Sequence, residues 1–271
     1  MNARVLVVTP TLGASKHLDE TVASVAALPL RITHVLAAPA GRVGDLRHRH
    51  PNTFVIRDAG PVGGIYGALN AALAAAPTAW DWFTYINDDD LLLPGFAETA
   101  RRHFARSQAE PVTYGRVEQI DEAGRHAGFV TTEANPRWFP ALLQQGISPL
   151  MQQGMMFRRD CVENLGGFDP AYRLCADLDF WLRASTRGFR FRHHSATVAC
   201  FRLRRGQLSG DTNLTEREQR QIVQRALPSP LSAWRCRLAR WRYRIGNLPL
   251  YLERIRRHGF LTSYQMLQQA R

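Results

Sequence analysis

The stretch Tyr85-Ile86-Asn87-Asp88-Asp89-Asp90-Leu91-Leu92-Leu93-Pro94-Gly95 decides how this chain is read. Trp82, Phe83, Tyr85 and Ile86 make an apolar run that reads as a buried strand, and Pro94-Gly95 opens the next helix. Three adjacent carboxylates therefore fall at the carboxyl end of a strand, where open α/β sheets bind their ligands. Neighbouring like charges repel, so a fold gains nothing by gathering them unless a cation neutralises them. Hard carboxylate oxygens with no His or Cys close by suit Mg²⁺ or Mn²⁺, which bridge protein carboxylates to substrate phosphates. A solvated acidic turn is the plain alternative.

A second acidic segment lies downstream. Gly166-Gly167-Phe168-Asp169 is followed by Leu174-Cys175-Ala176-Asp177-Leu178-Asp179-Phe180-Trp181-Leu182-Arg183. Phe180, Trp181 and Ala184 follow helical spacing, which puts Asp177 and Asp179 in or near a first helical turn. The positive end of the helix dipole favours an ionised carboxylate there. Two positions correspond to about 200° around a helix, so only one of the pair faces a given cleft. Asp177 can also serve as a simple N-cap, a role that equally wants a charged carboxylate.

Periodicity organises the rest. Strands are expected near 4–9, 31–37, 53–57 and 82–87, with helices near 18–27, 64–76 and 95–107. Alternation of this kind predicts a mostly parallel sheet flanked by helices. Residues 111–131 read as a hairpin turning at Glu122-Ala123-Gly124-Arg125, and Met155-Met156-Phe157 as a return to the sheet.

With these segments in place, the chain resembles the family-2 glycosyltransferases of the GT-A fold, which use nucleotide sugars. The resemblance runs from Val5 to about Ser209 and rests on five segments in order. They are Val7-Val8-Thr9-Pro10-Thr11, Gly64-Ile65-Tyr66-Gly67-Ala68-Leu69-Asn70, Asn87-Asp88-Asp89-Asp90, Gln153-Gly154-Met155-Met156-Phe157-Arg158 and Asp177-Leu178-Asp179-Phe180-Trp181-Leu182-Arg183. The resemblance implies that Asp89 is the ligand of Mn²⁺ or Mg²⁺, with Asp88 and Asp90 beside it. It implies that Asp177 is the base that takes a proton from an acceptor hydroxyl, and that Thr9, Pro10 and Thr11 border the nucleotide. A base without a separate nucleophile implies direct displacement with inversion. The implied partners are a nucleotide-sugar donor and a glycan or lipid-linked acceptor, in cell-envelope or exopolysaccharide synthesis.

Departures from the family pattern are specific. The second strand of such enzymes commonly ends in an acid that holds the nucleobase, but here it ends Val35-Leu36-Ala37-Ala38-Pro39, and Asp58 is the candidate replacement. Relatives carry Asp at Gly67 and Glu at Ala176. In the segment Phe201–Ser209, where relatives have a loop closing over the diphosphate, Arg204 stands where a histidine is common. A guanidinium there can hold phosphate oxygens. A catalytically silent GT-A domain serving as a scaffold is the rival reading, and the missing second-strand acid favours it.

The 271 residues carry a formal charge of +12, unevenly spread. Residues 229–271 hold nine arginines against the single acid Glu253, a net of +8. The expected division is a catalytic domain over 1–210 and a basic helical extension over 211–271. Trp234, Leu238, Trp241 and Ile245 share one helical face, with arginines around it. That pattern suits either a membrane-surface helix or one packed back on the catalytic domain. Nothing upstream resembles a nucleic-acid-binding module, so no nucleic-acid partner is expected. Cys161, Cys175, Cys200 and Cys236 lack metal-binding or redox spacing and read as reduced core thiols. With the first strand starting at Arg4 and no leader pattern before it, the expected location is cytoplasmic, with contact at the inner membrane face through the tail.

Overall fold

A computed structural model describes residues 3–60, 63–106, 108–204, 207, 212–227 and 229–259. Among the described residues nine strands form one sheet. Its first half is β1 (Arg4–Pro10), β2 (Arg31–Ala38), β3 (Phe54–Arg57) and β4 (Trp82–Tyr85), in the order β3-β2-β1-β4 and all parallel. Val5 to Val8 and Phe83 are wholly buried, because a parallel strand with helices on both faces needs apolar side chains at every position. These strands lie within a few residues of their expected bounds.

The second half is mixed, which modifies the expectation of a mostly parallel sheet. A two-residue strand β5 (Leu91–Leu92) follows the acidic run, and the hairpin strands β6 (Val112–Ile120) and β7 (His126–Phe129) turn as expected. β8 (Met156–Arg158) runs antiparallel to both β4 and β6. The twelve-residue β9 (Phe191–Arg202) lies parallel to β6 and antiparallel to β5. The path is therefore β4-β8-β6-β9-β5, which returns the chain beside the acidic run.

Helices α1 (Leu18–Ala26), α2 (Val43–Arg49), α3 (Gly64–Ala74) and α4 (Pro94–Phe104) accompany the first half. Pro94 stands at the first helical turn of α4, where its missing N–H costs nothing, and Arg101, Arg102 and His103 close its last turn. A Cβ at Gly95 would lie 2.2 Å from the Thr197 carbonyl oxygen, so only glycine lets α4 sit this close to β9. α5 (Phe139–Leu143), α6 (Arg159–Leu165) and α7 (Ala176–Thr186) follow, then α8 (Thr212–Ala226), α9 (Ala233–Gly246) and α10 (Leu248–His258).

Two cores result. On one face of the sheet Phe83, Phe157, Phe168 and Phe180 pack ring on ring, joined by Leu69 of α3 and Ile222 of α8. On the other face Val5, Val7, Trp82 and Met156 pack on Phe96 and Ala100 of α4. The segment after 210 thus contributes Ile222 to the main core.

Candidate active site

Parallel strands share a direction, so β1, β2, β3 and β4 deliver Thr11, Pro39, Asp58 and Asn87–Asp90 to one edge. The three consecutive acids then diverge. The Thr11 hydroxyl donates to Asp88 Oδ2 at 2.5 Å, and Ser15 Oγ donates to the Asp88 carbonyl at 2.8 Å. Burial raises the half-buried Asp88 carboxyl above its ordinary range, partly offset by Thr11 and reinforced by Asp89. Asp89 is 3% exposed, and Arg204 Nε donates to its Oδ2.

Asp90, expected at a metal with Asp89, is the most buried of the three acids. It is 0% exposed, and both its oxygens are in use. The Arg202 backbone N–H donates to Oδ1 at 2.8 Å, while Gln153 Nε2 at 2.7 Å and Asn87 Nδ2 at 3.0 Å donate to Oδ2. Burial and the neighbouring Asp89 charge raise its carboxyl. A positive φ of 74° at Gly154 turns the chain directly after Gln153, where a Cβ would also strike Val198 at 2.6 Å.

Arg202 organises the same loop. Its side chain is 1% exposed. It donates to the Asp89 carbonyl at 2.8 Å, to Glu20 Oε2 at 2.7 Å and to the Glu122 carbonyl at 3.2 Å. One guanidinium therefore joins α1, the acidic loop and the β6–β7 turn. Arg204, two residues on and expected at the diphosphate, pairs with Asp89 through its Nε. Of the loop containing it, Arg205, Gly206, Leu208 and Ser209 lie outside the described residues.

The nucleotide-side expectations divide. Thr11 faces Asp88, but Thr9 is fully buried and its hydroxyl pairs with His34 Nε2 at 3.0 Å. Burial pushes His34 down to about 3, so this is a neutral pair inside the sheet. The Thr9 side chain does not line the cleft, and Pro10 is buried beside it. No acid stands at the end of β2, where Ala37 and Ala38 are buried. Asp58 sits half-buried at the end of β3 on the same edge, with Oδ1 accepting from the Gly60 N–H at 2.9 Å.

Asp177 and Asp179 take opposite parts. Asp179 is 4% exposed and accepts from Arg183 Nε at 2.6 Å, and Arg183 also holds the Leu165 and Gly167 carbonyls. That engages Asp179 in joining α7 to the Gly166–Gly167 turn. Asp177 Oδ1 accepts from the Leu178 N–H at 2.7 Å, and the residue is half-buried. Burial pushes it up to about 6, against the Leu178 N–H that stabilises its charge. Burial, and then the charges of Asp177 and Asp90, raise the Tyr85 hydroxyl well above its ordinary range.

Glu218 on α8 holds the approach to Asp177. Its side chain accepts from the Arg173 N–H at 2.7 Å and from the Leu174 and Cys175 N–H groups at 2.9 Å each. Nothing in the sequence signals this role, since Glu218 lies in a polar helix about forty residues away. Gln153 had a weak signal, because it opens one of the segments that carry the family resemblance.

The donor set around Asp89 fits a hard cation held largely by substrate. Among the described residues no three His, Cys, Asp or Glu side chains converge on one point. Mg²⁺-type ions are satisfied with one or two carboxylates plus phosphates and waters. Asp89 would hold such an ion and Asp88 would border it, with Arg204 ceding its place on Asp89.

No curated protein matches the chain significantly. Similar folds occur among solved structures. The 1–349 fragment of Staphylococcus aureus TarS in complex with UDP-GlcNAc superposes with a TM-score of 0.64 at 15% identity, covering 95% of this chain and 75% of that one. The mannosyltransferase PcManGT from Pyrobaculum calidifontis, in complex with GDP-Man and Mn²⁺, gives 0.60 at 15% identity over 100% of this chain and 80% of that one. Against the longer TarS structure the chain spans 44% of the length. At these identities the likeness establishes the GT-A fold. The family model "Glycosyltransferase like family 2" matches residues 3–244, and on that match the chain belongs to the family-2-like glycosyltransferases.

Proposed function

We propose that the chain is an inverting glycosyltransferase that moves a sugar from a nucleoside-diphosphate sugar to a hydroxyl of a glycan or lipid-linked acceptor. The observation that carries this reading is a half-buried carboxylate at the first turn of α7, Asp177, that no ion pair among the described residues engages, in a sheet whose β4 ends in the acidic loop. Asp177 removes the proton from the acceptor hydroxyl, whose oxygen attacks the anomeric carbon as the bond to the diphosphate breaks. Attack from the face opposite the leaving group inverts the anomeric centre. A positioned base of this kind supplies about 10²–10⁴-fold. A divalent ion at Asp89 would supply Lewis-acid stabilisation of the departing diphosphate. Arg204 places a second cation at that edge, suited to phosphate oxygens. The donor complexes of TarS and PcManGT support a nucleotide-sugar donor, and the Mn²⁺ in the latter supports metal dependence.

The test is a thermal-shift screen against UDP-, GDP- and dTDP-sugars with and without Mn²⁺, followed by NMR of the product's anomeric configuration. Selective stabilisation by one donor and an inverted product are expected. A retained configuration would exclude direct displacement. Absence of donor binding throughout would favour the scaffold reading, which the missing acid at the end of β2 also supports.

A further inference from the structure

The most unusual surface of the molecule lies outside the cleft. Among the described residues nine large hydrophobic side chains are exposed, and seven of them lie on α9 and α10. Trp234, Leu238, Trp241 and Ile245 occupy α9, with Trp234 62% and Trp241 61% exposed. Leu248, Leu252 and Ile255 continue the stripe on α10. At about 100° per residue, the four α9 side chains fall in a sector roughly 60° wide.

The opposite side of α9 is the docked one. Ala239 and Tyr243 are buried there against Trp138, Ala141 and Leu142. The Tyr243 hydroxyl donates to Thr131 Oγ1 at 2.7 Å, and Asn247 accepts from the Thr132 N–H and donates to its carbonyl. α9 packs on the domain through its back, not through the stripe, and its apolar front stays open. Arg237 and Arg244 flank the stripe on one side, and Arg235 and Arg242 on the other, each roughly 70–90° from its centre. The one acid on these helices, Glu253, is already engaged by His126 at 3.2 Å and Arg257 at 3.3 Å.

We infer that α9 and α10 form a docking surface for an anionic lipid bilayer, with the two tryptophans at the interface and the flanking arginines on headgroup phosphates. Tryptophan favours that boundary because its ring is apolar and its N–H polar, and long arginine stems let the charge reach the headgroups. The charge selects this occupant. A second copy would bring the same arginine-rich surface against itself, and a neutral apolar partner would leave both flanks unpaired. No helix among the described residues is long and apolar enough to cross a membrane, so the contact is peripheral. It also orients the molecule. Residues 131–133 are fixed to α9, the Glu133 N–H donates to the Pro149 carbonyl, and Gln153 ends this segment on Asp90.

The test is sedimentation of the full chain with vesicles of phosphatidylcholine alone or with one third phosphatidylglycerol. It reads binding and is independent of sugar transfer. Binding to the anionic vesicles alone, weakened by salt, is expected. Replacing Arg237→Gln and Arg244→Gln together should weaken it about 25-fold, since each surface arginine contributes about fivefold. Trp234→Ser with Trp241→Ser should weaken it at least about tenfold while leaving the melting temperature unchanged, because both rings are exposed. No partition of the full chain at low salt, or unchanged partition of the double tryptophan variant, would overturn the inference. So would self-association that protects the stripe, or retention on duplex DNA stronger than on the vesicles.

Discussion

Asp177→Asn should make the protein more stable and nearly inactive, and the two effects should separate with pH. Folding raises the Asp177 carboxyl from 3.8 to about 6, chiefly because burial penalises its charge. The folded chain therefore holds this proton more tightly than the unfolded chain. Stability linked to the group is fully present below about pH 3.8, declines as pH rises towards 6, and is absent above it. At about 1.4 kcal/mol per pH unit, ionisation in the fold costs roughly 1–3 kcal/mol. Asparagine has the shape of the protonated acid and cannot ionise. The variant should match the parent near pH 4 and exceed it by about 1–3 kcal/mol at pH 8, roughly 2–4 °C in melting temperature per kcal/mol. Catalysis should move the other way. In the proposed mechanism the ionised form is the base, so kcat/KM of the parent should fall as pH drops through about 6, and Asp177→Asn should lose about 10²–10⁴-fold at every pH. Denaturant melts at both pH values and nucleotide release by coupled assay measure the two effects. A variant no more stable than the parent at pH 8, or one that turns over normally, would refute the reasoning.

Four further outcomes follow from the same geometry. Asp179→Asn should keep turnover but lose about 1–2 kcal/mol of stability, because it weakens a charge-assisted bond to Arg183, and a dead Asp179→Asn beside an active Asp177→Asn would reverse the roles. Asp89→Ala should abolish Mn²⁺-dependent nucleotide affinity, measured by calorimetry, with little loss of fold because Arg204 can turn to solvent; unchanged affinity would remove Asp89 from the metal. Arg202→Met should cost about 1–3 kcal/mol by leaving the Asp89 and Glu122 carbonyls without their donor, so a melting temperature unchanged from the parent would show that the acidic loop does not depend on it. Glu218→Gln should cost about 2–3 kcal/mol by losing charge-assisted bonds to three N–H groups, and should shift the acidic limb of kcat/KM to lower pH, because the Glu218 charge raises Asp177; an unmoved limb would mean Glu218 only supports the fold.

The sequence by itself determined the parallel half of the sheet, the place of the acidic run and the helix bearing Asp177. Each of these is written in short-range pattern: an unbroken apolar run for a strand buried on both faces, Pro-Gly for a helix start, opposed faces for Asp177 and Asp179. It also showed that α9 has an apolar stripe ringed by arginine. Only the tertiary structure decided which of three adjacent acids stays accessible. Asp90 is taken out of the cleft by Arg202, Gln153 and Asn87, the first of which is 112 positions away. Glu218 likewise meets its three N–H groups only because α8 folds back onto α7. Such partners are chosen by the need to satisfy buried charge, which depends on what the fold brings near and leaves no period in the sequence. The open front of α9 was decided in the same way, by its small and aromatic back fitting Trp138, Ala141 and Leu142.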